Sequence, residues 1–266
     1  SFVVTVKCEV YELYREQMTP QNEQALLRSI AKHSRQALGG EARQHIERVS
    51  EAVLASSGHG YEVRQVVAEL LYGLGNLAAA TWHLEQLAEV AGYHQMAVEA
   101  LGRIARQLES PRRELPALLA AYRCIADDAY HRGDLDAAEA VAQKAKAILL
   151  DEGAFESLTE EGRKRLAAER DPILRLHQII LESRRESAAL SLAQTRDLAD
   201  VCRLLRLWDK AGRLYSELAL ALQRSGNRNG ALECAEAAFY CYYKAGKEWW
   251  DPAGKYLLRI LWGFET

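Results

Sequence analysis

The stretch DAYHRGDLDAAEAVA, residues 128–142, decides the fold. Gly133 separates a segment with apolar residues at helical spacing from one that opens on Asp134, and the small Ala138 follows five residues after the glycine. Two other stretches repeat the arrangement. LYGLGNLAAATWHL at 71–84 has Gly75, Asn76 and Ala80, and LALQRSGNRNGALECA at 220–235 has Gly226, Asn227 and Ala231. Glycine accepts the left-handed turn that ends a helix, Asn or Asp caps the next helix, and a small alanine lets two backbones approach closely. The spacing therefore predicts tight antiparallel helix hairpins.

The rest of the chain agrees with an all-α reading. Its 266 residues include 42 alanines and 38 leucines but only five prolines, at 20, 111, 116, 172 and 252. That is a helix-former's composition, with long stretches free of the residue that breaks helices. Apolar residues recur at helical spacing, as in Val63, Val66, Val67, Leu70 and Leu71, then Leu77, Trp82, Leu84 and Leu87. A single helix over 61–91 would carry Gly73 and Gly75 at a cost of about 2 kcal/mol relative to alanine, so two helices joined at Asn76 are expected. Phe2–Val10, FVVTVKCEV, reads as a strand or a first helix, and the helix is preferred. Residues 1–266 are expected to form one helical domain, with a sub-block boundary in the charged stretch near 153–172.

The three glycine turns resemble the tetratricopeptide repeat family, whose 34-residue helix-turn-helix units have a tight central turn followed by a small alanine. GDLDAAE is a close match to that centre. Aligned on the glycines, the repeats span 61–94, 119–152 and 212–245, with Ala68, Ala126 and Ala219 as the small residues of the first helices. Arg64, Tyr122 and Tyr215 stand where the family often has Trp, the closing proline is missing, and the spacing between repeats is irregular. The resemblance implies stacked antiparallel hairpins forming a right-handed superhelix, an α-solenoid. A closed bundle of the same helices is the structural rival.

The resemblance also implies a concave groove lined by the first helix of each hairpin and used to hold an extended peptide or a partner's helix. Mapped onto this chain, the first repeat offers Gln65, Glu69 and Tyr72. The second offers Arg123, Asp127, Tyr130 and His131, which share one helical face. The third offers Arg213, Ser216, Gln223 and Arg224. Family members that clamp chaperone tails carry a Lys and an Asn four residues apart on that helix. The matching pairs here are Gln65 with Glu69, Arg123 with Asp127 and Ser216 with Leu220, so a chaperone-tail adaptor is not expected.

Nine aromatics crowd the final 28 residues. They read as core or cap, or as a docking surface built on Trp249, Trp250, Tyr256 and Trp262, through which a partner or a second copy would associate.

Catalytic signals are absent. No HExxH, GxxxxGK[ST], GxGxxG or GxSxG occurs, and Asp127 and Asp128 beside His131 are the most compact acid/base group. No metal or cofactor is expected. The five cysteines are odd in number and lack a CxxC spacing, so they read as reduced core thiols. The formal net charge of −3 gives no global attraction to nucleic acid. The basic stretch 196–228 is a weak exception, because Arg196, Asp200 and Arg203 fall where they can pair along one helix. No apolar run approaches the roughly 18 to 20 residues of a membrane span, and nothing reads as a signal peptide, so a cytoplasmic protein is expected. The leading reading is a non-enzymatic protein-interaction scaffold. The alternative is a regulatory or sensor solenoid arm that binds a small effector or a signal peptide.

Overall fold

A computed structural model describes residues 2–34, 40–55, 60–109, 114–151 and 158–246. The aromatic docking surface expected at Trp249, Trp250, Tyr256 and Trp262 lies outside the described residues. Among those residues there are twelve α-helices, one 3₁₀ turn and no strand. The helices are α1 (Phe2–Tyr14), α2 (Pro20–Ser34), α3 (Gly40–Ala55), α4 (Tyr61–Gly73), α5 (Leu77–Ala88) and α6 (His94–Leu108). They continue with α7 (Leu115–His131), α8 (Leu135–Leu149), α9 (Glu160–Ser187), α10 (Leu192–Leu204), α11 (Trp208–Arg224) and α12 (Arg228–Lys244). The valine-rich start is helical, and its strand-like alternation comes from a helix that is apolar on two faces.

The three aligned turns share one geometry. Gly75, Gly133 and Gly226 have φ of 76°, 79° and 80°. The next amide reaches back over the helix end in each case: Asn76 to Leu71 O at 3.0 Å, Asp134 to Ala129 O at 2.9 Å, and Asn227 to Leu222 O at 2.9 Å. The same residues cap the helix that follows, their side-chain oxygens accepting from Ala79, Ala137 and Gly230 amides at 3.2, 3.0 and 3.0 Å. Each corner thus satisfies backbone groups of both helices it joins. Ala80, Ala138 and Ala231 are buried just beyond.

A fourth corner of this kind has no glycine. Arg206 takes φ 59°, Leu207 N donates to Cys202 O at 2.8 Å, and Ala211, five residues on, is buried. Arg206, Gly226 and Gly246 then follow at twenty-residue intervals, all with positive φ. Its turn residue is an arginine, so this hairpin lacks the glycine signature shared by the other three.

The chain divides into two compact units, Ser1–Asp128 with Leu150–Glu169, and Ala129–Leu149 with Arg170–Thr266. The borders run through α7 and α9. In the first unit α1 packs on α2 and α3, α4 on α2, α3 and α5, and α5 on α6. Tyr11, Leu27, Ile30, Ile46, Leu71, Leu87, Leu101 and Ile104 are fully enclosed there. Burying each such side chain contributes about 1.5–3 kcal/mol before chain entropy is counted.

In the second unit α10, α11 and α12 follow one another as packed antiparallel neighbours around Leu198, Cys202, Leu214, Leu218, Cys234 and Cys241. The closeness of α11 and α12 depends on Gly212, where an added Cβ would lie 2.8 Å from the Tyr242 ring. A smaller cluster of Ala129, Ala138, Ala142 and Ile180 ties the end of α7 to α8 and α9.

Candidate binding cleft

Within the first unit, α5, α7 and the start of α9 converge on a cleft of about 520 Å³. Ala78 and Trp82 of α5 form one wall, one helical turn apart. The opposite walls come from the first turn of α7 (Leu115, Pro116 and Ala117) and the first two turns of α9 (Glu161, Gly162 and Arg165). Pro116 suits a first helical turn, where no backbone N–H partner is needed. Thr159 Oγ1 accepts from Gly162 N at 3.1 Å and so fixes the start of α9. The Arg165 guanidinium carbon lies 5.4 Å from the Trp82 ring centroid, a cation–π arrangement, and Arg165 Nε donates to Glu161 Oε1 at 3.2 Å. The cleft therefore combines an indole, a guanidinium and small apolar residues.

Further along the same three helices stands an ion trio. Arg123 of α7 donates through Nε to Glu169 Oε2 at 3.0 Å, and its Nη2 pairs with Glu85 of α5. Burial and the nearby Glu169 charge hold the Glu85 carboxyl above its ordinary range, against the pull of Arg123. The arginine thus bridges these two carboxylates.

The residues expected to line a groove are distributed among several neighbourhoods. On α4, Gln65 donates to Glu69 at 3.0 Å, and Tyr72 Oη accepts from Gln107 Nε2 of α6 at 2.8 Å. Arg123 meets α5 and α9 instead, and Asp127 is half-buried on the same helix. Asp128, one of the acid/base candidates, receives His94 Nε2 at 2.9 Å, and the Ala88 carbonyl and this carboxylate hold that imidazole above its usual range.

In the second unit, Tyr130 shares a 3.1 Å hydrogen bond with Ser183 and meets the His131 ring edge-on at 5.6 Å. Arg213 pairs with Asp209, and Ser216 Oγ donates to the Gly212 carbonyl at 2.9 Å. Gln223 and Arg224 are exposed near the end of α11. Arg196 pairs across to Glu233 of α12 at 3.2 Å, while Arg203 pairs with Asp200 along its own helix at 3.7 Å.

Trp82, Glu85, Arg165 and Glu169 are absent from the sequence-based set. Trp82 falls in an apolar stripe that reads as core, yet it is only half-buried. The available signal was spacing: Trp82 to Glu85 and Arg165 to Glu169 place each pair on one face of its helix.

The second unit also encloses a polar seam. Lys146 of α8 pairs with Asp197 of α10, whose other oxygen lies 3.1 Å from His177 Nε2 of α9. Glu139 accepts from Gln194 Nε2 at 3.0 Å and pairs with Arg184. These charged and polar groups gather between three helices as close ion pairs, while neither His177 ring nitrogen nor Asp197 Oδ2 makes a well-formed hydrogen bond.

Among the described residues no group of three His, Cys, Asp or Glu is placed to hold a metal ion, and no helix is long and apolar enough to cross a membrane. All five cysteines are free and buried. No family model matches the chain, and no curated protein matches it either. The class that fold and cleft define is an all-α protein of capped helix hairpins.

Proposed function

We propose that the chain is a tetratricopeptide-like α-solenoid acting as a non-enzymatic interaction scaffold, and that the cleft between α5, α7 and α9 receives a peptide or helix of a partner protein. The cleft carries this reading. Its three walls come from helices whose N-terminal ends all lie at the same end, which fits alternate members of a hairpin stack. The Tyr72–Gln107 contact likewise joins α4 and α6, which are separated by one helix. An indole backed by a guanidinium and flanked by small apolar residues gives a peptide both contact area and directional polar groups. Buried reduced thiols favour a reducing compartment such as the cytoplasm. The pairing of Arg196 with Glu233 and of Arg213 with Asp209 weakens the case for a nucleic-acid surface on the basic stretch.

A sensor arm binding a small effector is the second reading, favoured by the cleft volume, which lies within the usual range for small-molecule sites. The test compares the full chain with Trp82→Ala and Arg165→Glu in capture experiments from the native cell and in thermal melts with metabolites. A protein retained by the parent and lost by both variants, with helicity and Tm unchanged, supports the scaffold. A metabolite that raises the parent's Tm alone, with no protein retained, supports the sensor. Retention of the same proteins by both variants removes the cleft from either reading.

A further inference from the structure

Helix α1 carries apolar side chains on two opposite faces. Val4, Cys8 and Tyr11 are buried within the first unit, whereas Val3, Val6, Val10, Leu13 and Tyr14 are exposed, Leu13 to 73%. A second apolar stripe on a helix whose first stripe is already buried is a surface that water solvates poorly and a partner can cover. The outward residues 3, 6, 10 and 13 follow the alternating three-and-four spacing of a heptad seam, whose period an α-helix matches and an extended strand does not.

The borders of the stripe define the partner's charge. Glu9 is exposed along one edge, and Glu16 is exposed in the 3₁₀ turn (Arg15–Gln17) that follows the helix. Lys7, on the other edge, is turned to its own unit, donating to Ser29 Oγ at 2.6 Å with His33 Nδ1 at 3.3 Å. The open edge is therefore acidic. We propose that this face docks an amphipathic α-helix of a partner protein, with apolar residues at the same spacing and Lys or Arg along the edge that meets Glu9 and Glu16. A second copy of α1 lacks that complement. Antiparallel pairing sets Glu9 near Glu9 of the second copy, and parallel pairing sets it beside Tyr14 of the second copy, so neither supplies a cation.

The test uses two labelled helical peptides of about 21 residues, three heptads, with Leu at every a and d position and either Lys or Glu at every flanking position. Each is titrated with the full chain and followed by fluorescence anisotropy at low and high salt. The Lys peptide is expected to bind, more weakly as salt rises, and Leu13→Glu to weaken it by about tenfold or more. Exchanging both acids, Glu9→Lys with Glu16→Lys, is expected to transfer preference to the Glu peptide. These two side chains are exposed, so the exchange carries the test even where Leu13→Glu lowers helicity.

Failure of the Lys peptide to bind, or equal binding of both peptides, overturns the proposal. So does a concentration-dependent dimer in sedimentation that Leu13→Glu disperses, since a second copy would then occupy the face. Adsorption of the chain to phosphatidylserine vesicles that is lost with Leu13→Glu also overturns it, by assigning the face to a membrane surface.

Discussion

His177 Nε2 stands 3.1 Å from Asp197 Oδ2 in the interior of the second unit, with the other oxygen of that carboxylate holding the Lys146 ammonium. The carboxylate already has its cation, so His177 completes the seam as a neutral ring. Burial, reinforced by the Lys146 charge, pushes its pKa down to about 4. His83 in the first unit is similar: Ser50 Oγ lies 3.0 Å from its Nε2, and burial with the Arg64 charge pushes it down to about 3.

Acid lability follows from the sign of these shifts. The unfolded chain binds the imidazole proton near pH 6.5, before the folded one does, so stability rises with pH through this window. It is complete above about pH 6.5 and falls as pH drops toward about 4 for His177 and about 3 for His83. For His177 the loss at the acid end is on the order of 3 kcal/mol. Urea midpoints between pH 7 and 4.5 should decline in the parent and decline less in His177→Gln. Equal slopes would show that His177 is not the titrating group.

Thiol chemistry should report global folding. Burial raises Cys8 and Cys124 to about 12 and Cys202 to about 11, and all five thiols are enclosed. A thiolate-specific reagent near pH 8 should label the native chain slowly, if at all, and label five groups promptly in denaturant. Prompt native labelling at any site would mean local opening at that helix.

The Arg206 corner predicts a stabilising substitution. Its left-handed φ of 59° costs an L-residue about 1 kcal/mol, which glycine avoids. Glycine also gains freedom in the unfolded chain, so Arg206→Gly should raise stability by only about 0.5 kcal/mol. Gly226→Ala, at φ 80°, should lower it by about 1 kcal/mol. Opposite shifts in urea midpoint check the pair, and a shared sign would refute the equivalence of the two corners.

The hairpins were legible because each corner writes itself in consecutive residues: Gly133, Asp134 and Ala138 suffice to place one. Arg206 shows the limit, since a left-handed arginine has no compositional mark and only the twenty-residue interval to Gly226 betrays it. The cleft was harder to read. Its walls are about 80 residues apart in sequence, and a tryptophan at helical spacing looks the same whether its second face meets a core or solvent. Arg123 was singled out as a polar residue on one face of α7, but its carboxylate partners, at 85 and 169, are set by tertiary packing rather than by any local pattern.

That packing determines what substitution of Arg123 does. The guanidinium is about one-quarter exposed and separates two carboxylates. Arg123→Met leaves those charges facing each other and should cost about 1–3 kcal/mol, less than for a fully enclosed pair because solvent screens part of the repulsion. Burial already holds the Glu85 carboxyl above its ordinary range, and removing the cation raises it further, so the variant binds a proton more readily than the parent. Its deficit should therefore shrink as pH falls into the carboxylate range, whereas a deficit caused by lost packing would not change. Adding Glu169→Gln should restore much of the stability at pH 7, and a double-mutant cycle on the urea midpoints measures the coupling directly. If the deficit is unaffected both by acid and by Glu169→Gln, Arg123 acts through its aliphatic stem rather than as the cation between Glu85 and Glu169.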